Sequence, residues 1–255
     1  MERIELESVK NIRDLGGTRA ADGHTVVPRR LIRSARLSEL NAHDAQALVG
    51  VYDVHTVIDL RTETERQENP DIVPEGVDYL VAPLVKEHTL GIVHDRQAAE
   101  RMREGIGLPD IREIYQRIIL EPEVDAWHAI FDTFRTNAAG AVLWHCTGGK
   151  DRCGLVAYMV ETLLDIPAEM RMEDYLITNE DAQPRADRAY ESVMRDRGDA
   201  LLAEKVRDIF RADETYLVAA VQAIEQCYGS TEGFLEQVCG LDAHARDEMR
   251  VRYLE

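Results

Sequence analysis

Apolar residues in this chain fall into two kinds of run. Residues 55–61 (HTVIDLR), 77–84 (VDYLVAPL) and 141–146 (AVLWHC) are short and nearly continuous, the pattern of strands buried on both faces. Between and after them the apolar positions recur every three or four residues, as on one face of a helix. Residues 38–51 place Leu40, Ala47 and Leu48 at that spacing and reach a plausible stop at Gly50. Residues 153–167 carry Leu155, Val156, Met159, Val160, Leu163 and Leu164 on one face and run up to Pro167, which predicts a core helix. Residues 214–229 repeat the pattern through Leu217, Ala220, Val221, Ile224 and Tyr228, so the second half is expected to be mostly helical. Alternating strand and helix signals, with no repeat and no low-complexity linker, predict an α/β fold with a central, mostly parallel sheet flanked by helices.

Two polar stretches interrupt this order, residues 86–110 and residues 178–199, the second holding Pro184, Arg185, Arg188, Arg195 and Arg197. Each suits a helical lid segment over a site, and each reads equally well as solvated surface without a role. The 255 residues suffice for one large domain, so residues 1–255 are taken as a single unit. No run approaches the roughly 18 apolar residues of a membrane span, and the first ten residues lack the basic start and apolar centre of a secretory signal. The expected location is the cytoplasm, with export by a signal-independent route left open. A net charge of -18 argues against a nucleic-acid footprint, so an anionic ligand must be held locally. Four cysteines are too few and too unevenly spaced for a disulfide framework, and no Cys-x-x-Cys pair suggests zinc. No metal or other cofactor is expected. His88 and His94 read as surface histidines.

One stretch, VLWHCTGGKDRCGLVAYMV (residues 142–160), carries chemistry. A buried strand is followed by Cys146-Thr147-Gly148-Gly149-Lys150-Asp151-Arg152 and then by the core helix. A helix start offers unpaired N–H groups and the positive end of the peptide dipoles, and two glycines let the loop curl into an anion cradle. It is not a nucleotide-binding Walker loop, because Asp151 rather than Ser or Thr follows Lys150. A thiol at the mouth of the cradle is pushed toward thiolate by the dipole and by Arg152, which makes Cys146 a candidate nucleophile. Arg152 offers the planar fork that matches two phosphoryl oxygens, and Asp151 is placed to protonate a leaving oxygen. Thr147, Gly148, Gly149 and Lys150 complete the substrate-binding set. Lys150 is read as a point charge at the mouth that favours substrates with a second phosphate or nearby acids.

These residues resemble the signature of the cysteine-dependent tyrosine phosphatases. The Gly-Lys-Asp-Arg version is similar to a bacterial and fungal branch that also acts on phosphoinositides. The likeness runs in order through residues 11–17 (NIRDLGG), residues 21–40, residues 57–66 (VIDLRTETER), the signature, and residues 172–180 (MEDYLITNE). It implies a cysteine-phosphatase fold, attack of the cysteine on phosphorus, phosphate binding by the arginine, and the in-loop aspartate as general acid. It also implies that the lysine favours acidic or multiply phosphorylated substrates. The expected partner is a phosphorylated protein, first on phosphotyrosine and then on phosphoserine or phosphothreonine, or a phosphoinositide, without integral membrane association. Two other readings are a non-catalytic phosphate-binding module and, more weakly, a rhodanese-like sulfurtransferase.

Cys153 departs from the resemblance, since a Thr or Ser whose hydroxyl bonds the nucleophile normally follows the arginine. Its thiol is expected beside Cys146, as a poorer donor, a redox partner or a packing residue. Asp59, at a strand end on the side where the site should open, is a candidate helper for substrate binding or acid–base work, or a partner of Arg61. His145 is expected to orient the loop through the backbone, and Arg13 and Asp14 to pin the N-terminal segment by an ion pair.

Overall fold

The computed structural model of the chain describes residues 1–86, 108 and 110–255. Six strands, β1 (Glu2–Arg3), β2 (Arg13–Asp14), β3 (Leu31–Ser34), β4 (Val54–Asp59), β5 (Asp78–Val81) and β6 (Ala141–His145), form one sheet in the order β1-β2-β3-β6-β4-β5. The four strands β3, β6, β4 and β5 are parallel, and β1 and β2 extend the edge in antiparallel pairing. The α/β class with a mostly parallel sheet flanked by helices is therefore the observed one.

Successive strand residues feed opposite faces, as the two-residue period requires. Leu31, Ile58, Val142 and Trp144 join the larger apolar core, and Ile32, Val57, Ala141 and Leu143 join a smaller one. The larger face is covered by α3 (Ile111–Leu120), α4 (Val124–Thr136), α5 (Asp151–Leu163), α9 (Glu214–Tyr228) and α10 (Thr231–Gln237). On it Trp144 meets Phe134 edge to face at 5.4 Å, and Trp127 meets Phe234 the same way at 5.3 Å. The smaller face is covered by the N-terminal segment and α1 (Ala42–Gly50). The remaining helices are α2 (Glu63–Glu68), α6 (Ala168–Ile177), α7 (Asn179–Arg197), α8 (Ala200–Phe210) and α11 (Ala243–Tyr253). No helix among the described residues is long and apolar enough to cross a membrane.

Several boundaries differ from the expectation. Leu40 lies ahead of α1, whose start is set by Asn41 accepting the N–H of Asp44, and Gly50 is its last helical residue rather than a left-handed stop. α5 ends at Leu163, before Asp165 turns left-handed (φ 57), and Pro167 instead caps the start of α6. Residues 179–197 form one helix with Pro184 inside it, ended by Gly198 (φ 66). Its Val193 packs with Leu202, Ala203 and Val206 of α8 in a small core of their own. Of residues 86–110, all but Lys86, Leu108 and Asp110 lie outside the described residues, His88 and His94 among them.

Candidate active site

The sheet register sets the position of Cys146. Ser34 of β3 and Asp59 of β4 both pair with His145 of β6, so three parallel strands end level and Cys146 leaves the middle of their carboxyl edge. Open α/β sheets bind ligands at that edge. The loop then enters α5, whose N-terminus carries no side-chain cap, so its first N–H groups are left for an anion.

The loop carbonyls are all turned outward. Thr147 O accepts the Arg36 N–H at 3.4 Å, Gly148 O accepts the Asn11 amide at 3.0 Å, and Gly149 O accepts Arg33 Nη2 at 2.8 Å. In a trans peptide the following N–H points the opposite way, so the amides of residues 148, 149 and 150 face inward as a nest. Gly149 sits at φ 67, and a Cβ there would lie 2.7 Å from the Ser34 carbonyl group, so only glycine lets the loop pass β3. Arg33 is itself fixed by the buried Asp174, which also takes Arg13 Nε at 2.7 Å. Arg13 thus pins the N-terminal segment through Asp174, while Asp14 accepts the N–H groups of Gly16 and Arg29.

Cys146 is buried, and its thiol is brought down to about 5. The hydrogen bond from the Cys153 thiol does most of this, against the opposing cost of burial, and the Arg152 charge and the Cys153 N–H add to it. At neutral pH the group is a thiolate. Arg152 donates from Nη1 and Nη2 to the two oxygens of Glu65 at 2.5 and 2.7 Å, and from Nη1 to Leu60 O at 3.3 Å. Of its five donors, Nε–H and the second Nη2–H, which share one edge, have no partner among the described residues. They form the fork a phosphoryl group needs. Thr147 Oγ1 also donates to Glu65, so this threonine contributes its backbone to the cradle and its hydroxyl to the support behind it. Burial pushes the Glu65 carboxyl up, but Arg152 and these hydrogen bonds hold it below its ordinary range.

Glu65 was not legible as a site residue: it lies in the capping box of α2, where Thr62 and Glu65 bond each other's backbone, and that local role explains it fully. Glu65→Gln should leave the buried Arg152 charge without its counter-charge and cost about 3 kcal/mol of stability. Inorganic phosphate should then raise Tm more in the variant than in the parent, and equal shifts would refute the pairing role.

Cys153 is fully buried, with Sγ 3.6 Å from Ser34 O and 3.9 Å from Trp144 O. Burial and the neighbouring Cys146 sulfur push its own ionisation well above the thiol range, so it remains a donor. Its thiol also interacts with the Cys146 sulfur. Cys153→Ala should move the Cys146 midpoint from about 5 toward the ordinary thiol range, by roughly one to two pH units. Alkylation rate by iodoacetate against pH measures this, and an unmoved midpoint would assign the lowering to Arg152 and the helix alone.

Asp151, the first residue of α5, accepts the Tyr115 hydroxyl at Oδ1 (2.8 Å), and Tyr115 shares its hydroxyl with Tyr175 at 2.7 Å. Lys150 is not the free point charge the sequence suggested. Its Nζ lies 2.7 Å from Ile209 O, 2.9 Å from Arg211 O and 3.2 Å from Asp151 Oδ1, so all three donors are engaged. It ties the loop to the C-terminal end of α8, where exposed carbonyls attract a cation.

Asp59 lies behind the loop. It is fully buried and takes Arg61 on both oxygens (Nε at 2.9 and 3.1 Å, Nη2 at 2.7 Å) and the Tyr79 hydroxyl at 2.6 Å. Burial opposes its ionisation, but Arg61 and His145 hold it well below the carboxylate range, which makes it a poor proton donor. The structure thus corrects its reading as a substrate-binding residue. His145 is buried with Nδ1 3.3 Å from Cys146 O and Nε2 3.1 Å from Asp71, and Asp71 and Asp59 favour its protonated form against the cost of burial. Asp59, Asp71 and His145 are the one trio among the described residues close enough to share an ion, but Arg61 bridges the two carboxylates at 2.7 and 2.6 Å and supplies that charge already.

Cys146, Thr147, Gly148, Lys150, Asp151 and Arg152 all border one cavity of about 690 Å³. Ile111, Ile114, Ile118, Ile209 and Phe210 give it an apolar wall, and α7 gives it a largely charged one through Glu180, Asp181, Arg185 and Arg188. A family model described as "Tyrosine phosphatase family" matches residues 4–255. The chain belongs to the tyrosine phosphatase family. It is 28% identical over 276 residues to the triple specificity protein phosphatase PtpB of Mycobacterium tuberculosis, covering 96% of this chain and 97% of that one. With a tyrosine-protein phosphatase of Nostoc commune it shares 25% over 242 residues, 89% of this chain and 76% of the other. Crystal structures of P. aeruginosa TpbA, one of them with phosphotyrosine, align with 77% of the chain at 19% and 21% identity and TM-scores of 0.29 and 0.31. The family is one of enzymes.

Proposed function

We propose that this tyrosine phosphatase family member hydrolyses phosphomonoesters in two steps through a cysteinyl phosphate, with phosphotyrosine as the first substrate class. The observation that carries the reading is a thiolate at about 5 beneath an inward-facing nest, with an arginine fork beside it. The Cys146 sulfur attacks phosphorus as the ester oxygen leaves, taking a proton from Asp151. Inward amides and Arg152 hold the three equatorial oxygens, where charge is carried in the transition state. Water then attacks phosphorus, Asp151 accepts its proton, and the thiolate departs with help from the Cys153 S–H. The apolar wall favours an aryl ester, and α7 with α8 acts as the cover over the cradle. Phosphoserine, phosphothreonine and phosphoinositide are further substrates on this reading, since the cradle contacts only the phosphoryl group. Rapid quench with a labelled aryl phosphate tests it: label should appear on Cys146 within one turnover, and turnover without any labelled protein would overturn the covalent step.

A further inference from the structure

Besides Arg152, the cavity is lined by Lys10, Arg36, Arg185 and Arg188. Such a gathering runs against a composition of 48 acidic and 30 basic residues. Arg185 and Arg188 are three residues apart on α7, hence neighbours on one helix face, and that face borders the cavity. The Arg185 guanidinium lies 4.5 Å from the centroid of the Phe210 ring, which fixes its place without neutralising it. Of the acids that border the cavity, Glu180 and Asp181 are held by Arg3 at 2.9 and 2.7 Å, Asp151 takes Tyr115 and Lys150, and Glu39 faces Arg36 at 3.4 Å. Among the described residues no carboxylate pairs with Arg185 or Arg188. Partial burial, then repulsion by Arg36 and Arg188, holds the Arg185 guanidinium below its ordinary range, as expected of a cation set among cations.

We infer that Arg36, Arg185 and Arg188 form a second anion subsite in the cavity of the phosphate cradle, built for a second phosphate next to the phosphotyrosine of a protein substrate. The inference rests on the phosphotyrosine reading above and names the substrate class within it. Arginine forks match phosphate oxygens in a way lysine does not. A peptide fits better than a bilayer, because an aryl ring has the isoleucine wall to lie against and an anionic membrane repels a chain of net charge -18.

The test measures binding in the Cys146→Ser background, where turnover cannot consume the probe. A phosphotyrosine peptide is compared with the same peptide carrying a second phosphate nearby, by calorimetry at two salt concentrations. The doubly phosphorylated peptide should bind on the order of tenfold more tightly, and more so at low salt. Adding Arg185→Ala and Arg188→Ala should bring the ratio close to one, and the paired lysine variant should restore part of it. Because a ratio is read, a general loss of affinity cancels, and a thermal melt checks that each variant is folded. Equal affinity for both peptides, or a preference that survives the double alanine variant, would overturn the subsite. Vesicles with a bisphosphorylated inositol lipid form the third arm, and a stronger arginine dependence there than with peptides would overturn the assignment to protein substrates. Phosphate release from 4-nitrophenyl phosphate by the unaltered protein tests the underlying reading separately, since its failure would leave the binding ratios intact.

Discussion

Cys146→Ser should release phosphate from an aryl phosphate on the order of 10⁴-fold more slowly than the parent, or not at all above background, while still binding phosphopeptide. The thiol ionises at about 5, so the parent carries its nucleophile ready at neutral pH. A serine hydroxyl in its place needs a base, but in this step Asp151 gives its proton to the leaving oxygen, and the other local candidates are committed. His145 directs Nδ1 to the Cys146 carbonyl and Nε2 to Asp71, and Asp59 is bound to Arg61. Binding should survive or tighten, because the inward amides and Arg152 remain and a negative sulfur no longer faces the phosphate. The parent should show a matching acid limb: kcat/KM rises with pH through the range near 5 as the thiolate forms. Turnover retained in Cys146→Ser would sink the covalent mechanism. A parent that binds phosphopeptide without turnover would instead favour the phosphate-binding module.

What could be seen in the sequence was whatever a local pattern encodes. The strand, the glycines and the core helix around Cys146 are contiguous, and their order alone places a nucleophile at a helix start. The supports of that loop are not contiguous. Glu65 lies 87 residues from Arg152, and Asp174 lies 141 from Arg33, so each carboxylate looks like any other of the 48 until the chain folds. Asp59 shows where a local pattern stops short: a strand end level with the site and an arginine two residues on left two readings open, and the fold takes the buried ion pair with Arg61. Lys150 was assigned by its neighbours in sequence, whereas its partners are carbonyls at the end of α8 some 60 residues away. The antiparallel edge escaped the pattern altogether, because β1 and β2 are two residues each and Arg13 and Arg33 are charged yet buried. Their charges are matched by Asp174, a pairing no hydropathy period can express.

Asp151→Asn should lower kcat on the order of 100-fold for an aryl phosphate with a poor leaving group, and far less for one whose phenolate leaves unaided. Tyr115 and Lys150 both bind Oδ1, so an asparagine can keep the same contacts through its own oxygen. The substitution therefore removes the transferable proton while disturbing the position least. A plot of log kcat against leaving-group acidity should be shallow in the parent, where proton transfer offsets the charge on the departing oxygen, and steep in the variant. Tyr115→Phe, which only loosens the carboxyl, should give a smaller loss with a slope between the two. Asp59→Asn serves as the comparison: it weakens the Arg61 pair and should lower Tm, with the parent's shallow slope retained. Equal loss across leaving groups for Asp151→Asn would remove it as the acid, and a steep slope for Asp59→Asn with a shallow one for Asp151→Asn would move that role to Asp59.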